Sequence, residues 1–329
     1  MVSLALRTSV SSLLVALAFA AVVRGPAAAP RTTTHPYAGL TYIEASTTTP
    51  RPIRTHVIQV DLRASGIRLT LTPPAGPRET IRQSSAAFVS EVHAQAGING
   101  HFFLPFPSTD TSAWLIGLAA SEGRVFSAFE TPEQAYALVA DAPAINIDRR
   151  NHASIVHRDP AQPDGRHVKE AVELWTTVAG SAEIVTDGVV TIPHYRDAAH
   201  PEAVLTPGGP RDYADGHSWY DVVTARSAIG LSRDGRTLTL FTVDARGGSD
   251  GMSVGEVAAW LIDKFAVWNA LNIDGGGSTS LVLADPATGK AALVNTSSDN
   301  PNGRAVGSTL AVFARPSRNR QSPVGGRRW

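Results

Sequence analysis

The 329-residue chain has no cysteine. A thiol nucleophile, a zinc–thiolate centre, a structural disulfide and an acylated N-terminal cysteine are therefore excluded together. Lysine is scarce: Lys169, Lys264 and Lys290 are the only three. Nearly all positive charge is thus guanidinium, whose planar fork suits phosphate. Charge of neither sign is in excess, with 29 Lys and Arg against 29 Asp and Glu. That excludes a nucleic-acid clamp or a disordered polyelectrolyte. No P-loop, dinucleotide fingerprint or H-E-x-x-H helix occurs, and the histidines lack the spacing of a zinc site.

What is present begins with an export-type leader. Arg7 precedes an apolar run from about Val10 to Val23, followed by small residues through Ala29. The run is shorter than the roughly 20 residues of a membrane span, so no stable span is expected after leader removal. Two cleavage patterns compete, Ala18-Phe19-Ala20 and Ala27-Ala28-Ala29. The expected organisation is a signal peptide over 1–29, a Thr/Pro-rich linker over 30–52, one domain over 53–315 and a basic disordered tail over 316–329. The expected location is secreted or periplasmic.

The domain reads as α+β, with a mixed, largely antiparallel β-sheet core, few flanking helices and one βαβ unit towards the C-terminal half. Ile58, Val60 and Leu62 alternate, as do Ile67, Leu69 and Leu71, and Ala64-Ser65-Gly66 between them suggests a hairpin. A helix is expected from Ser84 or Ser85 to about Gln95, then a strand over Ile98 to Leu104. Asp187-Gly188 and Arg233-Asp234-Gly235 mark further turns between strands, and Ala291 to Asn295 and Gly307 to Ala314 read as closing strands. The stretch from Arg196 to Asp221, rich in Pro, Gly, His and aromatics, reads as a long functional loop.

The βαβ unit concentrates the chemistry. A β-rich run ends at Asp244, and Ser253 with Glu256 forms the capping box of a helix. A second apolar run then ends at Asp274, followed by Gly275-Gly276-Gly277-Ser278. Parallel strands joined by a right-handed crossover place both aspartates at one sheet edge, beside the positive helix N-terminus. Two acids, glycine-rich amides and arginine there suit an anionic group with acid–base work beside it. Glu256 is equally well explained as a cap alone. The pattern Gly247-Gly248-Ser249-Asp250-Gly251 mimics a nucleophile elbow, but no histidine follows His217, so the usual order of a serine hydrolase cannot be met.

Four segments together resemble one family. Ile98-Asn99-Gly100-His101-Phe102-Phe103, Gly180 to Gly188, Arg226-Ser227-Ala228-Ile229-Gly230 and Asn272 to Ser278 occur in the order found in the phosphodiester glycosidase family. The resemblance spans about Thr55 to Ala314, with a closing element from Leu293 through Arg304. Two departures stand out: His101 replaces a usually small residue, and Ser308 stands where members carry Asn. The resemblance implies cleavage of a sugar-1-phosphate diester into free sugar and a phosphomonoester.

That reaction needs carboxylates for an oxocarbenium-like state and positive charge for the departing phosphate. Asp274 is the first candidate for base or nucleophile, with Glu256 or Asp244 as partner. Asn99, Gly100, Arg226, Arg246, Gly275, Gly276, Gly277, Ser278 and Arg304 are expected substrate or phosphate contacts, Asn99 through a sugar hydroxyl. His217, Trp219 and Tyr220 are read as loop packing or as a stacking wall. No cofactor is expected. Calcium stays open, because Asp187, Asp212, Asp215 and Asp250 are loop acids in no recognised spacing. The expected partner is a glycosyl-phosphate or glycan, not nucleic acid. Two other readings compete: a non-catalytic carbohydrate-binding or exopolysaccharide-assembly module, and a phosphodiesterase cutting P–O.

Overall fold

The computed structural model describes residues 31–129, 142–192 and 222–317. The leader, the stretch at 193–221 with His217, Trp219 and Tyr220, and the tail from 318 lie outside the described residues. Strands dominate, and the described residues hold two α-helices. In chain order the principal elements are β1 (Arg31–Tyr37), β2 (Leu40–Thr47), β3 (Ile53–Asp61), β4 (Arg68–Leu71), α1 (Ser85–Glu91), β5 (Ala96–Asn99), β6 (Ala182–Thr186) and β7 (Val189–Val190). There follow β8 (Arg226–Ser232), β9 (Thr237–Val243), α2 (Val254–Phe265), β10 (Val267–Ile273), β11 (Leu281–Ala284), β12 (Ala291–Leu293) and β13 (Thr309–Phe313). One eight-stranded sheet runs β1-β2-β3-β9-β8-β10-β6-β7, and a five-stranded sheet runs β12-β11-β5-β13-β4. A second five-stranded sheet is built from strands between residues 119 and 179.

The two main sheets face each other through one core. Ile58, Val60, Leu240, Leu271 and Ile273 of the large sheet meet Leu69, Leu71, Ile98, Leu310 and Val312 of the smaller one. Strand alternation sends Val57, Phe241, Val243 and Ala270 to the opposite face, where α2 lays Val254, Val257, Ala258, Leu261 and Phe265. On the outside of the smaller sheet, Phe88 and Val89 of α1 cover Val282 and Ala311. The resulting order is helix, sheet, sheet, helix.

Local chemistry explains the elements that match expectation. Ser232 Oγ and the Arg236 N–H both donate to Asp234 Oδ1, at 2.7 and 3.1 Å, and Gly235 takes φ +64°, closing the β8–β9 hairpin. Helix α2 has its full capping box and ends where Ala266 adopts a left-handed conformation.

Four expectations need correction. The 30–52 stretch is not a linker: β1 and β2 form a meander with β3 in the large sheet. The segments joined by Ala64-Ser65-Gly66 are not a hairpin, since β3 pairs with β2 and β9 whereas β4 pairs with β13. Their shared alternation reflects a common core, which two facing sheets supply as well as one. Helix α1 ends at Glu91, because His93 turns left-handed and Gln95 donates to Val312, recruiting the following residues as β5. Finally, β9 and β10 point the same way but are not neighbours. Strand β8 lies between them, antiparallel to both, so every ladder in this sheet is antiparallel.

Candidate active site

Inserting β8 between β9 and β10 keeps Asp244 and Asp274 at one edge of the sheet, yet separates their backbones by two strand spacings, roughly 10 Å. The first residue of β8, Arg226, sits between them. The edge is therefore shared as expected, but the two acids do not form a close pair.

Asp274 is partly exposed and rigidly held. Its N–H donates to the Gly100 carbonyl at 3.2 Å, and its own carbonyl accepts from Asn99 Nδ2 at 2.6 Å. Burial of the carboxyl raises its pKa to about 7, against the lowering effects of the Ser278 hydroxyl, the Arg304 charge and the Gly275 backbone. It is therefore poised to exchange a proton near neutrality.

The glycines that follow allow close approach. A Cβ on Gly277 would collide with Arg304 Nη2, so only glycine lets that guanidinium rest against the turn. Gly276 adopts φ +57°, and its N–H donates to the Ala225 carbonyl at 2.7 Å. Arg304 is fixed by Asp299 (Nε to Oδ2, 2.9 Å) and reaches Ser278 Oγ at 3.5 Å. Ser278 is itself buried, and both its hydroxyl and the Arg304 charge favour the ionised form of the acid.

Other expected contacts fall into different places. Asn99 has no exposed surface, and its Oδ1 accepts from Ser227 Oγ at 2.8 Å and the Ser280 N–H at 3.0 Å. It braces three strand ends and orients Asp274; it does not present itself to a sugar. Gly100 is packed against Ser308 Oγ, which a Cβ would approach to 2.5 Å. Arg226 is buried and donates to the carbonyls of Met252 and Val222. Arg246 lies exposed on the 244–251 turn, without an ion-pair partner among the described residues.

Glu256 accepts from the Ser253 N–H and from the Arg51 guanidinium through the same carboxylate oxygen. Burial opposes its ionisation, but Arg51 and Ser253 outweigh it and hold the carboxyl below its usual range. Asp244 is fully buried, its Oδ1 accepting from the Thr296 N–H at 3.0 Å and its Oδ2 lying 3.2 Å from His56 Nε2. Tyr42 Oη stands 2.8 Å from His56 Nδ1, completing an inward chain. Asp244 therefore ties the 294–304 segment, which carries Arg304, to the end of β9. Ser249 Oγ donates to the Asp244 carbonyl at 2.6 Å, a turn contact rather than a nucleophile. Among the described residues no three His, Asp or Glu side chains lie together as metal ligands.

Sequence reasoning missed His56, Tyr42, Arg51, Ser227 and Thr296. Only His56 carried a signal: the apolar alternation of Ile58, Val60 and Leu62 turns polar when extended back to position 56. His101 and Ser308 form one contact, with Ser308 Oγ 2.9 Å from His101 Nδ1 and accepting from the His101 N–H at 3.0 Å. His101 Nε2 meets the Leu118 carbonyl at 3.0 Å, and burial pushes the ring's pKa down to about 4 despite that bond. It is a neutral core histidine.

Comparison with known proteins agrees with this architecture. The chain is 43% identical over 63 residues to human N-acetylglucosamine-1-phosphodiester alpha-N-acetylglucosaminidase and 41% identical over 63 residues to the bovine enzyme. Each match covers 19% of this chain and only 12% of the relative's length. Among solved structures, the zebrafish N-acetylglucosamine-1-phosphodiester alpha-N-acetylglucosaminidase catalytic domain, auto-inhibited by its pro-peptide, superposes with TM-score 0.58 at 20% identity. That likeness covers 88% of this chain and 90% of that one. A hypothetical protein from Synechocystis gives TM-score 0.57 at 16% identity, over 88% and 64% of the two chains. The family model for phosphodiester glycosidases matches residues 93–313, and the chain belongs to that family.

Proposed function

We propose that this protein hydrolyses a sugar-1-phosphate diester at the anomeric C–O bond, with Asp274 as the reacting carboxylate. The observation that carries the reading is a partly exposed acid at the sheet edge, its pKa raised to about 7, with the Arg304 guanidinium resting against the glycine turn that follows it. Glu256 and Asp244 are occupied by structural partners, so one carboxylate serves where two were expected. One suffices for this leaving group. A phosphomonoester, with a second pKa near ~6, departs without a strong proton donor and needs positive charge instead. Arg304 supplies that charge, with Arg246 at the rim and Arg226 beneath adding to the field.

In this mechanism the phosphate rests against Arg304 and the glycine turn, and the anomeric carbon faces Asp274. As the C–O bond lengthens, ionised Asp274 either takes a proton from an attacking water or adds to the carbon itself. The leader sequence directs the enzyme out of the cytoplasm, towards glycans of the envelope or surroundings.

The test is a panel of sugar-1-phosphate diesters, read as free reducing sugar in isotopically labelled water. Wild type should release sugar carrying the label, and Asp274→Asn should lose roughly 1000-fold or more in kcat while keeping its fold. Label in the phosphate would mean P–O cleavage. Binding without turnover, unaffected by Asp274→Asn, would mean a carbohydrate-binding module.

A further inference from the structure

We propose that the cleft at the end of the sheets opposite Asp274, floored by Leu62 and Ile67 and edged by Arg63 and Arg150, is a second phosphate site, which holds another repeat of a polymeric, phosphodiester-linked glycan. This rests on the functional reading above. The β8–β9 ladder fixes the separation. Arg226 opposite Val243 lies at the edge that carries Asp274, whereas the hairpin closes beyond Leu231 opposite Leu238. Seven residues of strand lie between the two ends, roughly 25 Å. A single diester held at Asp274 and Arg304 does not reach the cleft.

Three hydrogen-bonded turns meet there around a cavity of about 610 Å³. The β3–β4 connection supplies residues 62–67; its Ala64 N–H donates to the Asp61 carbonyl at 3.0 Å and its Leu62 N–H to the Arg236 carbonyl at 2.8 Å. The second five-stranded sheet supplies the turn at 148–152. In it Asp148 Oδ1 accepts from the N–H groups of Arg150 and His152, both at 2.8 Å, and Asn151 takes φ +63°, a conformation asparagine tolerates. Asn151 Nδ2 then donates to the Ile67 carbonyl at 2.9 Å, tying this turn to the first. The third turn is the β8–β9 hairpin, which brings Asp234 to the rim. Turns braced in this way leave little ordering for a ligand to supply.

Charge and shape set the ligand class. Leu62 and Ile67 are buried beneath the cleft and offer a floor for C–H surface. Arg149 is already paired with Glu173 at 2.5 Å. The guanidinium groups of Arg63 and Arg150 have no ion-pair partner among the described residues, in a chain whose acids and bases are equal in number. Two such forks in one cleft suit a phosphate, which each can grip through paired N–H donors. Asp234 and the Nε2 of His152, whose Nδ1 stands 3.0 Å from Asp148 Oδ2, remain for hydroxyl groups. The volume is that of a small-ligand site rather than of a bare phosphate, so a sugar is taken with its phosphate. An exposed site of this kind holds one sugar phosphate with Kd on the order of 0.1 mM. On a polymer anchored at Arg304 a second phosphate is present at an effective concentration of about 1 mM, which raises the overall affinity about tenfold.

The first arm of the experiment needs no turnover. Arg304→Met, which lacks the cation beside Asp274, is titrated calorimetrically with a hexose 6-phosphate, with the free hexose and with inorganic phosphate. The hexose phosphate should bind more tightly than either other probe, and its affinity should fall about tenfold or more when Arg63→Gln and Arg150→Gln are added. Both side chains are exposed, so the added substitutions should leave Tm unchanged. No binding, binding untouched by the two substitutions, or equal affinity for inorganic phosphate would each overturn the proposal. The second arm compares KM for a single-repeat sugar-1-phosphate diester with KM for an oligomer of about ten repeats, long enough to span both sites. In wild type the oligomer should have the lower KM by about tenfold. In Arg63→Gln/Arg150→Gln that advantage should vanish, with kcat and the single-repeat KM unchanged. No oligomer advantage in wild type, or one that survives the substitutions, overturns the polymer assignment. If no diester is cleaved, the hydrolase reading fails by itself, and the oligomer's affinity for Asp274→Asn, with and without the two substitutions, decides this arm instead.

Discussion

At the residue scale, the raised carboxyl of Asp274 has two consequences that separate cleanly. Catalysis by the ionised form means that kcat/KM rises with pH through about 7 and levels off above it. The Arg304 charge lowers this pKa, so Arg304→Met should move the inflection upward as well as weaken phosphate binding; an unmoved inflection would mean another group titrates. The stability effect has the opposite sign. An aspartate that titrates near ~3.9 in the unfolded chain and near 7 in the native one is protonated longer in the fold, so stability falls as pH rises between those values. Asp274→Asn removes that loss. Its Tm advantage over wild type should be smallest near about pH 4 and grow to a plateau above about pH 7, measured by calorimetry.

The His101–Ser308 contact belongs to the same scale. Both side chains are buried and in contact. His101→Ala should cost about 2–3 kcal/mol by leaving a cavity and a buried Ala179 N–H that now donates to His101 Nε2 without its partner, and Ser308→Asn alone should overpack the site. The double variant should be more stable than the sum of the two losses by more than about 1 kcal/mol. Denaturant unfolding of the four proteins measures that coupling, and strict additivity would show the two changes to be independent.

At the element scale, Glu256 is the informative position. It closes the α2 capping box and holds Arg51, which also donates to the Gly251 carbonyl at 3.2 Å. Glu256→Ala should therefore cost about 1 kcal/mol of stability, the usual worth of a cap, and leave kcat within about a factor of two. A loss of several orders in kcat with unchanged Tm would restore it to the chemistry. How much of the site was legible follows from such cases. The strand ends at one edge, the glycine turn and the α2 cap could be read because strand ends, turn glycines and capping boxes are local signals. The insertion of β8 could not be read, because strand order depends on contacts distant in sequence, and the interval from Arg226 to Val243 is compatible with either arrangement. Asn99 ends a strand beside Asp274, but all its partners are protein groups. A sequence shows that a polar residue ends a strand, not whether its partners are protein or ligand. The β1–β2 meander was hidden by Thr and Pro, which signal a linker by composition, although threonine is also at home in a strand.

At the scale of the whole molecule, the family match begins at residue 93, beyond β1 to β4 and α1. The topology says that this segment is not a folding unit. Strand β3 is central, not peripheral: it pairs with β9 along its length, from Thr55 opposite Val243 to Asp61 opposite Thr237, and carries His56 to Asp244. Strand β4 pairs with β13 from Arg68 to Leu71. A fragment over residues 93–317 would thus expose the edge of β9 and the apolar faces that Ile58, Val60, Leu69 and Leu71 cover, and leave Asp244 without its histidine. Those four side chains alone account for about 6–12 kcal/mol of burial, comparable to the net stability of a whole domain. The fragment should show no cooperative thermal transition and should bind a dye for exposed apolar surface, whereas residues 31–317 should melt as one unit. A cooperative melt of the shorter fragment at the same temperature would mean that the N-terminal strands are an appendage, and that the Tyr42–His56–Asp244 chain is dispensable to the geometry around Arg304.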